Sequence, residues 1–548
     1  MAPVCLAGLA LATLAACSSP TVSPAAGNTV GPVGPKVQRV VLAVAPPATE
    51  GNDMGPMSAP ALWPLRPMYE DLIAMDAKDG SLVPRLATEW SLEPDGASYR
   101  FKLQRGVKYH KGFGEFTAKD LAPNLVFRAT QPEQRGAVLY FQRNISGVEV
   151  VNDYEAVYHF TAPNSTFFYY ASEQSAALLQ YSPEHARGMG TPTMDMEPWA
   201  GTGPYQFKER RQNEFIRYER TPFQHWRITP DFPEFEFRWV KEASTRMAAL
   251  LAGEVQLASL PEDLQADALG RGYRNARGTA PGSRTFINFY CCYFNDLKDP
   301  SKGYRYPDSP LMDVRVRRAL SKAIRRDDLN KAFFRGKAEP MYLNSYHPAL
   351  RGWDPSWEKR FQDEYGYDPD AARKLLADAG YGPARPLTTT MLVGPASGYS
   401  GAEDLAEAVV AFWRQVGVQT TLDNMDSVLR TANQRNYKFD NHAAVIGTGA
   451  EQWAGLSQYS STIGPPGNGV HLAEMDRLVS QVERTVEAKR NQEFWKQAGE
   501  LEFTSHQFVP LFWLPVDITY DPKTVASYTF PGAITGSWGQ VENIKAAK

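Results

Sequence analysis

The chain has 548 residues, with 58 Lys and Arg against 61 Asp and Glu, 43% hydrophobic and 22% charged residues. At roughly 100–200 residues per unit this allows about three or four structural units, and the composition is that of a folded globular protein. A formal charge of −3 offers no field for a polyanion, and four cysteines without metal-ligand spacing exclude both a disulfide scaffold and a zinc site, so neither nucleic acid nor a metal is expected.

Residues 1–16 are apolar and end in Leu14-Ala15-Ala16-Cys17, which resembles a bacterial lipobox: small residues before a cysteine that takes a lipid and becomes the mature N-terminus. No Lys or Arg precedes Lys36, whereas a signal needs a basic start, so the natural start is expected upstream. Residues 17–36, rich in Ser, Pro and Gly, read as the lipidated N-terminus and a flexible tether.

A buried opening strand is predicted at 37–44. The alternation of Tyr99, Phe101 and Leu103 with polar neighbours predicts a half-buried strand at 98–103. Strand pairs follow at 148–151 with 158–160 and at 205–208 with 215–218. Met247, Leu250 and Leu251 before Gly253 begin a helix-to-strand pattern. Asp368-Pro369, then Ala372, Leu375, Leu376 and Ala379 before Gly380, supplies an N-cap, a first-turn proline, a packing face and a terminal glycine. Leu405, Ala408, Val409, Phe412, Trp413 and Val416 form an apolar stripe that ends at Gly417 and feeds a strand at 418–422. The alternation argues for an α/β fold. Arg315, Arg317 and Arg318 fall off the packing face of their helix and are expected in solvent.

Particular motifs recur along the chain in a set order: Tyr69-Glu70-Asp71-Leu72, Leu82-Val83-Pro84-Arg85-Leu86-Ala87, Phe116-Thr117-Ala118-Lys119-Asp120, Gly201-Thr202-Gly203-Pro204-Tyr205, DVRVRRAL at 313–320, Tyr367-Asp368-Pro369 and KLLADAGY at 374–381. This series resembles the extracellular solute-binding proteins of family 5, the oligopeptide-, dipeptide- and nickel-binding proteins of ABC importers. The resemblance implies a two-lobed fold of the periplasmic-binding-protein type, with an extra domain on the first lobe and a ligand cleft between the lobes. The expected division is 37–69 with 200–284 and 508–548 as lobe I, 70–199 as the extra domain, and 285–507 as lobe II. It also implies a monomer without cofactor, anchored by lipid in the periplasm or on the outer face of the cell membrane. There it would hand a peptide or other small solute to a permease. The alternative is a sensor or chaperone that binds peptides without transport.

In the peptide-binding branch a Phe-Asp pair precedes a tryptophan and then an aspartate that holds the peptide ammonium. Here Phe439-Asp440 begins the segment, Ile446 and Gly449 stand at the ungapped positions, and Glu451 supplies an acid only at a two-residue offset. Glu451 is expected as an exposed loop carboxylate before it is an anchor. Trp453 fits a cleft or a packing role equally. Tyr290-Cys291-Cys292-Tyr293 follows the expected crossing strand at 285–289, and all four join the candidate ligand-binding residues. Adjacent cysteines in an oxidising compartment can close a vicinal disulfide. As free thiols they pack like small hydrophobes, and this reading is preferred. Ser356-Trp357-Glu358-Lys359 matches the S-x-x-K pattern of penicillin-binding enzymes, but no K-T-G follows and Asp354-Pro355 puts the serine at a turn, so no enzyme is expected.

Overall fold

The structure, a computed structural model, describes residues 37–47, 50–54, 62–79, 81–131, 136–175, 177–279, 282–393, 401–532 and 538–548. The expected signal segment, Cys17 and the tether lie outside the described residues. Among the described residues no helix is long and apolar enough to cross a membrane.

Two mixed sheets dominate. The first has seven strands in the order Arg274–Arg277, Asp517–Tyr520, Leu257–Ala258, Arg39–Val44, Glu234–Trp239, Phe215–Arg220, Tyr205–Arg211. Arg39–Val44 runs parallel to Glu234–Trp239 and to Leu257–Ala258, and five of its six residues are buried, which fits the continuous apolar run read there. The second has six strands in the order Glu339–Pro340, Phe508–Leu514, Ser283–Tyr290, His442–Gly449, Thr388–Val393, Gln419–Asn424. A separate four-stranded antiparallel sheet, Ala87–Leu92, Ser98–Leu103, Glu155–Phe160 and Ile145–Asn152, forms within the residues expected to be the extra domain.

Local expectations find physical counterparts here. Asp368 caps the helix Pro369–Asp378 by accepting from the Ala371 amide at 2.9 Å. In the helix Ala402–Gln415 the stripe residues Leu405, Val409 and Trp413 are buried, and the Trp413 indole donates to the Leu320 carbonyl at 2.9 Å. Two expectations need correcting. The strand Phe508–Leu514, placed above with lobe I, is hydrogen-bonded antiparallel to Ser283–Tyr290 and so belongs to the second sheet. Arg317 is buried, because the Leu311, Met312, Ser505 and His506 carbonyls around it accept its N–H groups. A guanidinium surrounded by acceptors can leave water without losing its hydrogen bonds.

Among the described residues, Arg274–Arg277 of the first sheet is followed by Ser283–Tyr290 of the second and Phe508–Leu514 of the second by Asp517–Tyr520 of the first, and the two crossings touch. The Gly278 amide donates to the Val516 carbonyl at 2.9 Å. A methyl on Gly282 would sit 2.0 Å from Val516 Cγ2, so only glycine allows this approach. Two adjacent, slender connections between two packed bodies are the arrangement of a hinge.

Candidate functional site

Ser283–Tyr290 starts where the first connection ends, so its first residues lie beside the hinge. Alternation along the strand sends Ile287 and Phe289 into the core beneath the second sheet's helices. Phe286 points the other way, into an apolar cluster that runs unbroken from Leu72, Phe101 and Tyr170 of the first half to Trp453 and Tyr459 of the second.

Arg284 shares the Phe286 face. Its side chain is 2% exposed, its guanidinium carbon lies 5.8 Å from the Phe286 ring centre, and Nη1 donates to the Asn344 carbonyl at 2.7 Å. Gly455 leaves room for it: a methyl there would stand 2.3 Å from Nη1. Burial lowers its affinity for a proton, against the pull of Tyr459, Glu451 and Glu502.

Glu451 precedes the helix Gln452–Ser457 and is 9% exposed. The expectation of an exposed loop carboxylate is therefore corrected: the preceding strand His442–Gly449 is paired into the sheet and delivers Glu451 to the interior. Burial raises its carboxyl to about 7, although Arg284 of the second half and Arg66 of the first both favour the charged form. Glu502, on the helix Ala488–Ser505, is fully buried and accepts from the Asn344 amide at 2.9 Å and the Ser345 amide at 3.4 Å. Burial pushes it to about 8, against those amides and Arg284.

Trp453 is buried, and its indole N–H donates to the Tyr170 hydroxyl at 3.3 Å, so it touches the first half of the chain directly. Further bonds join the same regions: Arg143 Nη2 to Glu483 Oε1 at 2.6 Å and the Ser165 hydroxyl to the Val482 carbonyl at 2.6 Å. On the first-half side, Arg66 lies in the short turn Trp63–Met68 and donates to the Glu173 carbonyl. Behind it a buried ionic set links Glu70 to Arg227 (2.6 Å), Arg227 to Glu542 (2.6 Å) and Arg85 to Glu173 (3.3 Å), beside a small cavity lined by Arg66, Asp71 and Gln540. Burial raises Asp71 to about 7.

The structure thus gathers Glu451 and Trp453 with Arg284 and Glu502. The other candidates lie elsewhere. Tyr290 stands six residues from Arg284, about 20 Å along a strand, with its ring against Phe439 and near Arg430. Tyr293 is fully buried among Tyr306, Tyr437 and His471, its hydroxyl donating to the Gly467 carbonyl at 3.2 Å. Cys291 and Cys292 form a disulfide, correcting the preference for free thiols. Cys292 has φ 59°, and this left-handed turn breaks the strand alternation that keeps neighbouring side chains apart. Both sulfurs belong to the apolar core with Leu311 and Val316. Arg284 and Glu502 were missed above. Their signal was present as one arginine just before the strand-forming run Thr285–Tyr290, and one acid between Leu501 and Phe503 on a packing helix.

A model of the bacterial extracellular solute-binding proteins, family 5 (middle), matches residues 81–468. The chain belongs to this family. It is 27% identical over 375 residues to the dipeptide-binding protein of Escherichia coli (strain K12), an alignment covering 65% of this chain and 66% of that protein. Among solved structures it is similar to NikA from Brucella suis in complex with Fe(III)-EDTA, with TM-score 0.76 and 20% identity over 92% of this chain and all of that one (100%). It is also similar to the periplasmic binding protein DppA from Helicobacter pylori in complex with the peptide STSA, with TM-score 0.73 and 19% identity over 93% and 98% of the two chains. These structures share the fold, a mixed α/β architecture of two lobes with the ligand cleft between them. As a family 5 solute-binding protein the chain has a non-enzymatic role; Ser356, expected at a turn, stands in the first turn of a helix. Its amide is bound by the Asp354 carboxylate at 2.9 Å at the start of the helix Pro355–Tyr365.

Proposed function

We propose that this family 5 protein captures a peptide or similar small solute between its two lobes and delivers it to the permease of an ABC importer. The observation that carries the reading is the hinge with charged groups buried near it: Arg284, Glu451 and Glu502 lie in the interior beside Trp453, which bonds Tyr170 of the first half. Buried ionisable groups are costly, and they concentrate where a ligand supplies the missing partner. The relative named for dipeptides and the DppA structure with its bound peptide support peptides as the first class to test. NikA with Fe(III)-EDTA supports a wider range of small solutes.

Hinge closure makes a direct expectation. With a mixture of short peptides at saturation, small-angle scattering should give a smaller radius of gyration than the ligand-free protein. The melting temperature should rise, since a ligand at a hundred times its Kd adds about 2.7 kcal/mol to the folded state. A raised melting temperature with an unchanged radius would speak against closure. No rise with any peptide would remove peptides as the solute class.

Attachment to the outer face of the membrane through Cys17 is part of the same proposal, motivated by the Leu14-Ala15-Ala16-Cys17 ending. Expressed in bacteria behind a working export signal, the protein should incorporate labelled palmitate and Cys17→Ala should not. Equal labelling of the two would remove the anchor.

A further inference from the structure

The two halves of the chain also meet through a polar contact made without Arg284 or Glu451. Ser165 gives both its amide and its hydroxyl to the second half: the amide donates to the Glu483 carbonyl at 2.8 Å and the hydroxyl to the Val482 carbonyl at 2.6 Å. The same hydroxyl accepts from Asn491 Nδ2 at 3.2 Å. The Glu483 carboxylate is buried, and it accepts from Arg143 Nη2 at 2.6 Å and from Asn144 Nδ2 at 3.3 Å.

Each side is shaped for this contact by bonds within its own half. Asn491 also donates to the Val482 and Thr485 carbonyls, at 2.7 and 2.8 Å, which fixes the turn between the helices Ala473–Arg484 and Ala488–Ser505. Opposite it, beside Ser165, Asn164 Oδ1 accepts from the Tyr140 hydroxyl at 2.7 Å and from the Thr166 amide at 3.0 Å. The Tyr140 ring stacks on Tyr170 at 3.7 Å, and Tyr170 receives the Trp453 indole, so the contact continues the seam on which Trp453 lies. Glu483 is placed against local preference. It stands in the last turn of its helix, where the dipole disfavours an acid, and burial denies it water. Among the described residues, the donors that hydrogen-bond its carboxylate all come from the first half.

Resting on the solute-capture reading above, we infer that Arg143, Asn144 and Ser165, with Glu483 and Asn491, form a latch that holds the lobes shut around any solute without touching it. Bonds that exist only when the halves meet stabilise the closed form alone, and a solute's apparent affinity scales with the share of the protein able to close. These are positioning residues: they set how tightly every solute is held and leave the choice among solutes to other groups.

The test measures several short peptides with unlike side chains, by calorimetry for affinity and by stopped-flow for release. Arg143→Gln combined with Ser165→Ala should weaken every peptide by one common factor of roughly three to thirty, seen as faster release, since the lost hydrogen bonds belong to the closed form. Arg143→Gln and Glu483→Gln should not add, because each removes the same ion pair. The melting temperature of the solute-free protein should not change. A loss that differs from peptide to peptide would mean that these side chains touch the solute, and would overturn the latch. Unchanged affinity would overturn it too, as would a lower solute-free melting temperature with affinity kept, the mark of a permanent structural contact. All three results leave the capture reading standing. Binding of no peptide by the wild type would overturn the peptide reading and the inference with it. Should the double variant fail to fold, Arg143→Gln, at an exposed residue, still decides.

Discussion

Trp357→Ala should destabilise the protein by roughly 3–5 kcal/mol, the range for deleting a buried aromatic. Trp357 is 1% exposed, its ring stands 5.1 Å from Tyr346 and 5.6 Å from Trp353, and its indole N–H donates to Glu500 at 2.9 Å. The ring packs close to the helix Ala488–Ser505 because position 499 is glycine, where a methyl would come within 2.4 Å of Cη2. A large cavity with few routes to collapse follows from its removal, while Glu500 keeps its ion pair with Arg360. The loss also reaches the site. Tyr346 follows Asn344 and Ser345, whose amides hold Glu502 and whose Asn344 carbonyl holds Arg284. Gly499→Ala alone should cost roughly 1–3 kcal/mol through overpacking, and should cost less once Trp357 is alanine, since the two closest clashes are with that ring and only the Tyr346 contact remains. Thermal and denaturant unfolding of the single and double variants checks both statements. An unchanged melting temperature in Trp357→Ala, or fully additive effects, would contradict this packing.

Stability should fall as pH rises from about 5 to about 8, and Glu502 should account for much of the slope. Its carboxyl, raised by burial from about 4.5 to about 8, binds its proton more tightly in the folded protein than in the unfolded chain. The resulting stability is complete below the unfolded value and is lost as pH rises through the folded one, a loss on the order of 4–5 kcal/mol for a group so fully buried. Glu451 and Asp71, each raised to about 7, add to the same trend. Glu502→Gln keeps an acceptor for the Asn344 and Ser345 amides and cannot ionise. It should therefore melt above wild type near pH 8 and show a shallower pH dependence. A wild-type melting temperature that is flat or rising over this window would contradict the assignment.

The sequence by itself determined the elements whose apolar residues repeat at a regular interval. Ser98–Leu103, Pro369–Asp378 and Ala402–Gln415 form where alternation or helical spacing places them, because local periodicity records which face of a segment avoids water. The ordered series of motifs likewise pointed to the family, and with it the two-lobed fold. Only the tertiary structure decided what those faces meet. Phe508–Leu514 is as apolar as any strand, and nothing local says that it pairs with Ser283–Tyr290, more than two hundred residues earlier, and not with the first sheet. The charged residues show the same limit more sharply. Arg317 and Arg284 look like solvent residues until carbonyls from distant segments surround them, and Glu451 looks like a loop acid until the sheet carries it inward. Whether a charge is buried depends on partners gathered from far along the chain, so the buried charged groups were the ones that sequence spacing could not place.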